Sequence, residues 1–498
     1  MDEIDNKIAK GAAWMVSFKM IDRGLGLVST VILARLLVPE DFGLVAMAMI
    51  LIGALQLLMA FSFDVPLIQN RNAGRDQFDT AWTLNVIFAS ACAAILASVA
   101  GLAARFYQEP RLELVIYLLA VGFAVEGFSN IGPVIFRREM QFDREFKFLL
   151  GKRMASLLVT IPLAFWWRNY WALVAGQLTG TFVSVALSYY VSDYRPRFSL
   201  KAKVELFHSS KWLVMNNILQ FLNGRASELL IGRLGGATTL GVYTIASEIS
   251  TLPTTELVAP INRAAFPGYA RVANDLEALR NSFLGVISMI ALFALPAGVG
   301  IATIADLMVP VVLGWKWVPA IPLIQILAIY GVIQALQSNI SYVYLATGRL
   351  YYVTAVGAIQ FTLLISLLIP GILYKGATGA AWAFLGTVVL ITPVIQYLVA
   401  KRLQLSSTAF LARLARPLAA VLIMAAVVLA MKHVLHRNDE TSSYLVALVL
   451  CVAGGALAYS VSLYVLWRWA GSPHSAERVC LGKIETLLQR AGLKVSLT

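Results

Sequence analysis

Charged and amide side chains set inside apolar runs are the residues most able to do chemistry in this chain. Residues 12–37 hold Lys19, Asp22, Arg23 and Arg35, residues 211–234 hold Arg225, Glu228 and Arg233, and residues 240–266 hold Glu248, Glu256 and Arg263. In lipid an ionisable group costs several kcal/mol unless it is paired or faces water, so such residues usually mark a pathway. Lys19 and Asp22 are three apart, as are Arg225 and Glu228, so each couple can pair along its own helix. Asn216, Gln220, Asn223 and Ser227 recur at helical spacing and form one polar stripe. Structural ion pairs between helices would account for a single couple. The whole cluster predicts a water-filled cavity instead.

Arginine offers a planar fork of donors that matches phosphate oxygens. The candidate substrate-binding residues are therefore Lys19, Arg23, Asn216, Gln220, Asn223, Arg225 and Arg263, with a diphosphate on a lipid tail as a ligand that needs such a site. An organic anion would be served equally. The acids Asp22, Glu228, Glu248 and Glu256 are candidates for coupling to protons or a cation. Arg35 and Arg233 lie close to the outer ends of their runs and are expected to snorkel to headgroups. Pro253 and Pro260 each remove a backbone hydrogen bond and predict a kink.

These residues must be positioned by membrane helices. The chain has 498 residues, 59% of them hydrophobic and 13% charged, with a mean hydropathy of +0.75. A soluble globule carries roughly twice that charge, so the solvent is lipid and the fold class is all-α polytopic. Fourteen transmembrane helices are expected, at 12–37, 42–66, 80–104, 112–136, 148–167, 170–191, 211–234, 240–266, 282–304, 321–346, 350–373, 377–399, 415–435 and 443–467. The segments on the side of the N-terminus hold 27 Lys and Arg and the opposite loops hold 7. That bias puts both termini in the cytoplasm. Met1 to Lys10 is polar with both charge signs and reads as no secretory signal.

A shift of 198 residues superposes Trp14 on Trp212, Arg35 on Arg233 and Gly43 on Gly241. An even number of crossings between copies gives a parallel repeat, suited to alternating access at the interface of two pseudo-symmetric lobes. The expected organisation is a six-helix lobe at 1–191, a cytoplasmic linker at 192–210 and a second six-helix lobe at 211–399. Two additional helices at 400–467 and a cytoplasmic tail at 468–498 follow, the tail holding a short surface helix around 477–489.

Several chemistries have no residues here. No P-loop, H-E-x-x-H or Cys/His metal cluster occurs, and Cys92, Cys451 and Cys480 suggest no disulfide framework. No cofactor or metal is expected. The net charge of +13 would suggest nucleic acid in a soluble protein, but in a membrane protein its location matters more, and no nucleic-acid partner is expected. Outer loops are short, which disfavours an intramembrane glycan polymerase or ligase. Transport is the better class than catalysis.

Leu37-Val38-Pro39-Glu40-Asp41-Phe42-Gly43 resembles the Leu-x-Pro-x-Asp-[Phe/Tyr]-Gly turn of the polysaccharide-transporter family. Residues 137–142, 260–271, 295–300 and 313–317 are similar to its colanic-acid-exporter-like, Wzx-type branch. The resemblance covers about residues 5–400, and the last two helices are weakly matched. It implies a flippase of the multidrug/oligosaccharidyl-lipid/polysaccharide superfamily, not an enzyme, in the bacterial inner membrane. The implied substrate is a polyprenyl-diphosphate-linked oligosaccharide, moved before polysaccharide polymerase and export proteins act. The pathway would be exopolysaccharide, capsule or lipopolysaccharide biosynthesis. A drug or cation antiporter of the same superfamily would need an acid-dominated cavity.

Overall fold

The computed structural model describes residues 2–59, 67–68, 70, 73–435, 441–472 and 476–490, but not the side chains of stretches such as 2–9, 203–224 and 226. Every regular element among them is helical. In chain order these are α1 (Asp2–Leu36), α2 (Pro39–Met59), α3 (Arg75–Tyr107), α4 (Arg111–Gly127), α5 (Val134–Arg138), α6 (Phe142–Trp167), α7 (Trp171–Tyr190) and α8 (Lys203–Leu252). A π-helical turn (Pro253–Val258) leads into α9 (Ala259–Arg271) and α10 (Leu276–Val312). A 3-10 turn (Trp315–Ala320) precedes α11 (Ile321–Ala346), α12 (Leu350–Leu403), α13 (Ser407–Leu435), α14 (Thr441–Trp469) and α15 (Ala476–Arg490).

Ten described stretches are long and apolar enough to cross a membrane. Two of them, Ser227–Arg271 and Tyr351–Leu403, span 45 and 53 residues, about twice the 20 that one crossing takes. Glycine breaks both helices that feed them. Gly236 in α8 has φ 76 and ψ −179, and Gly376 in α12 has φ 56 and ψ −134, backbone that a Cβ would resist. Counting two limbs for each of these helices, and adding the charge-bearing α1 and the 17-residue α4, recovers the fourteen expected segments in order. The fourth ends early. A helix was expected over 112–136, yet α4 stops at Gly127 because Pro133 restarts the chain and Asn130 takes over the local hydrogen bonding. Its Oδ1 accepts from Gly132 N at 2.8 Å and its Nδ2 donates to Tyr194 O at 2.7 Å.

By packing, the chain divides into unit 1, Met1–Thr244, and unit 2, Ile245–Thr498. In unit 1, α6 and α7 form a hairpin turned at Arg168, whose φ is 50. Small residues let its arms approach: a Cβ on Gly176 would lie 1.6 Å from Thr160 Oγ1, the usual device of lipid-embedded helix pairs. Asp41 ties this hairpin to α2. It is 8% exposed, accepts from Val38 N at 3.0 Å as a helix cap, and accepts from Tyr170 N at 3.0 Å. Such a cap contributes about 1 kcal/mol.

The Gly43 and Gly241 pair fits the 198-residue shift. A Cβ on Gly43 would lie 1.7 Å from Ala237 O, and one on Gly241 would lie 1.8 Å from Pro39 O. The shift carries Pro39 to Ala237 and Gly43 to Gly241, so it exchanges the two contacts.

Residues 192–202, expected as a plain connection, lie pinned along α3. Arg197 N donates to Asp79 Oδ1 at 2.8 Å, Ser199 N to Thr83 Oγ1 at 3.0 Å and Ala202 N to Thr80 Oγ1 at 3.2 Å. Tyr194 also donates its hydroxyl to Asp79, and burial together with that carboxylate pushes its acidity well below an ordinary phenol. In unit 2 the tail helix α15 falls where a surface helix was expected. Its buried Glu477 pairs with Arg416 of α13 at 3.3 Å.

Candidate substrate-binding site

Unit 1 contains a cavity of about 330 Å³ walled by α1, α2, α6, α7 and α8. Its apolar lining comes from residues such as Leu33, Phe42 and Leu173, and its polar lining from Ser29, Ser156, Thr160, Gln177 and Thr244. The charged groups on its wall are Arg153, Arg225 and Glu228.

Each arginine is held by one acid. Arg225 Nη1 donates to Glu228 Oε1 at 2.8 Å and Oε2 at 2.6 Å, the along-helix pair that the spacing predicts. Both contacts fall on one nitrogen, and the Arg225 side chain remains 52% exposed, so the other N–H groups of the fork can take an anion. Arg153 Nε pairs with Asp22 Oδ1 at 3.1 Å. Asp22 was expected to pair with Lys19 along α1; the guanidinium of α6 takes its carboxylate instead, and Lys19 stands exposed. Gly26 makes room for this cation, because a Cβ there would lie 3.1 Å from Arg153 Nη2.

Arg153 is the charged cavity residue that sequence reasoning missed. It falls near the start of the helix expected over 148–167, where it reads as one of the cytoplasmic charges. In fact α6 begins at Phe142, which carries Arg153 about 16 Å along the helix axis at 1.5 Å per residue. Arg153, Ser156 and Thr160 then share a face at i, i+3 and i+7 and all line the cavity. That spacing was the readable signal.

The other expected site residues are dispersed. Arg23 is half-buried on α1 and is not among the groups lining the cavity. The side chains of Asn216, Gln220 and Asn223 lie outside the described residues, while Ser227 of the same stripe is buried. Arg233 holds its guanidinium 5.5 Å over the Phe106 ring, a cation–π contact. Glu248, Glu256 and Arg263 belong to unit 2, the two acids half-buried, Arg263 exposed with Nε 3.4 Å from Ala259 O. Glu256 sits on the π-helical turn begun by Pro253.

Residues 32–322 match the family described as polysaccharide biosynthesis protein. The chain belongs to this family. Over 397 residues it is 26% identical to the lipopolysaccharide biosynthesis protein WzxC of Escherichia coli (strain K12), covering 79% of this chain and 80% of that one. It is 22% identical to the succinoglycan biosynthesis transport protein ExoT of Rhizobium meliloti (strain 1021), over 65% and 66% of the two chains. Among solved structures it is similar to the lipid II flippase MurJ in an inward closed conformation, with a TM-score of 0.71 at 14% identity over 92% of this chain and 99% of MurJ. An inward-facing multidrug resistance MATE family transporter of the MOP superfamily gives a TM-score of 0.56 at 13% identity, over 80% and 99%. At such identities the likeness is one of fold, and that fold is an all-α polytopic membrane protein.

In this member of the polysaccharide biosynthesis protein family the Pro39–Gly43 turn has a physical explanation. Pro39 starts α2, Asp41 caps it and holds the α6–α7 hairpin, and Gly43 admits the backbone of α8. The motif is therefore structural, and it shapes one end of the wall that presents Phe42 to the cavity.

Proposed function

We propose that this protein is a flippase that carries polyprenyl-diphosphate-linked oligosaccharide repeat units across the bacterial inner membrane. It works by alternating access of two six-helix repeats, 1–191 and 211–399, with both termini cytoplasmic and the later 400–467 and 468–498 segments added to them. The carrying observation is the pair of arginines, Arg153 and Arg225, on the wall of one cavity with a single acid, Glu228, among its lining groups. Two planar forks in a partly apolar chamber suit the charge and geometry of a diphosphate. Lys19, Arg23 and Arg263, with Asn216, Gln220 and Asn223, complete the path for the headgroup. Relatives named for polysaccharide biosynthesis and transport support a glycan cargo, and a fold neighbour named as a lipid II flippase supports a lipid-linked one.

Coupling rests with Asp22 and Glu228, whose carboxylates compete with substrate phosphates for the same guanidinium groups. Protonation or cation binding at either acid would release its arginine to the substrate. Glu248 and Glu256 supply a second acidic couple on the other unit. Polymerase and export proteins act on the product at the outer face, in exopolysaccharide, capsule or lipopolysaccharide synthesis.

Deleting the gene in its source bacterium and probing lipid-linked glycan in spheroplasts tests this reading. Accumulation of unpolymerised repeat units inaccessible to an outside probe is the expected result. Accessible repeat units that fail to polymerise would instead make the protein a polymerase or ligase. Unchanged glycan would make it a drug or cation antiporter.

A further inference from the structure

Unit 2 encloses a second cavity, of about 260 Å³, between α11 and both limbs of α12. No Asp, Glu, Lys or Arg lines it. Its polar wall is made of uncharged groups, chiefly Gln334, Ser338, Ser341 and Gln360, and its aromatic wall of Tyr344 and Tyr352. The two tyrosine rings lie 5.3 Å apart with 32° between their planes. Ser341 and Gln360 have no hydrogen-bond partner among the described residues. Behind them the framework is fixed. Ser338 Oγ accepts from Asn262 Nδ2 at 2.7 Å and donates to Ala335 O at 2.7 Å. The neighbouring Gln337, 8% exposed, donates through Nε2 to Thr392.

Amides and hydroxyls each offer both donors and acceptors, which is what a vicinal set of sugar hydroxyls requires. Tyrosine faces cover the apolar C–H side of a pyranose while the phenol keeps a polar handle. No Lys or Arg lines the cavity to receive a phosphate, and a hydrocarbon tail would strand the amides without partners, at a cost. We propose that this cavity is a saccharide subsite, binding a pyranose unit of the glycan cargo. This deepens the flippase reading and rests on it. With both termini in the cytoplasm, the cavity lies next to the inner turn at Arg349, the side on which lipid-linked repeats are loaded.

The test is equilibrium binding to the purified full-length protein in nanodiscs. Two probes are compared: lipid-linked oligosaccharide extracted from the source bacterium, and bare undecaprenyl diphosphate. Gln334→Leu/Gln360→Leu is expected to weaken the glycosylated lipid about tenfold, the scale of one to two lost hydrogen bonds, and to leave the bare diphosphate unchanged. Arg225→Ala is expected to weaken both. Intact binding of the bare diphosphate also proves that the double variant is folded; should it misfold, Ser341→Ala/Gln360→Asn replaces it with the same expected selectivity. Equal affinity of the variant and wild type for the glycosylated lipid would overturn the saccharide subsite while leaving the flippase reading in place. Failure of the wild type to bind either lipid would overturn both.

Discussion

The cavities of unit 1 and unit 2 are of similar size, about 330 and 260 Å³, yet their chemistry hardly overlaps. The first has arginines held by acids, Arg225 with Glu228 and Arg153 with Asp22. The second has amides, hydroxyls and tyrosines and no charge among its lining residues. The partly exposed guanidinium groups of unit 1 are each paired with one acid, so an anionic ligand there meets a counter-charge already in place. Neutral polar groups need no such partner, and Ser341 and Gln360 can wait unengaged at a smaller cost. A site for a charged headgroup thus has an exchangeable lock built into it, whereas a site for a neutral one does not.

The largest effect that sharpens this contrast is removal of a cation. Arg225→Ala or Arg153→Ala should lower polysaccharide export in complemented deletion cells by at least tenfold, the scale of a charged hydrogen-bonded contact, with protein still inserted by membrane fractionation. Normal export from both variants would remove the charged site. A charge swap, Asp22→Arg with Arg153→Asp, separates structure from binding. It preserves the ion pair but moves the cation off α6, so thermal stability should recover while export stays low; full recovery of export would make Arg153 a purely structural residue. Salt gives a smaller, graded effect. Raising ionic strength from about 0.05 to 0.5 M shortens the screening length severalfold, so binding of undecaprenyl diphosphate should weaken a few-fold while free oligosaccharide is unaffected. The same salt dependence for both ligands would erase the contrast between the cavities. Smallest of all, Lys316→Ala, on the exposed 3-10 turn and outside both cavities, should leave export unchanged.

Much of the architecture was legible in residues because lipid imposes it. Apolar run length and the places where Gly236 and Gly376 interrupt it are enough to lay out fourteen segments, and Arg225 with Glu228 is a local pair that spacing alone specifies. The hairpin at Arg168 was likewise readable from two polar residues between apolar runs. What escaped depends on contacts far apart in sequence. Asp22 has Lys19 nearby, but the choice of Arg153 depends on how α6 packs against α1 and on the space that Gly26 leaves. The start of α6 was misplaced because Arg144 and Lys147 look like loop charges to a hydropathy reading, although they are helical. The strap at 192–202 was hidden for a similar reason. Asp79, Thr80 and Thr83 read as ordinary helix polar residues, and only the fold supplies their partners in Arg197, Ser199 and Ala202. The neutral cavity had no sequence signal at all, since glutamine and serine in an apolar helix cost far less than charge and stand out far less.

Reconstituted translocation is the most direct measurement of the central claim. Purified protein would be placed in liposomes with lipid-linked oligosaccharide extracted from the source bacterium in the inner leaflet, and appearance of glycan outside followed with a membrane-impermeant lectin or oxidant. Wild type is predicted to expose the inner-leaflet pool to the outside probe, with Arg153→Ala and Arg225→Ala each slowed at least tenfold. Translocation by both variants at the wild-type rate, or none by the wild type, would contradict the account.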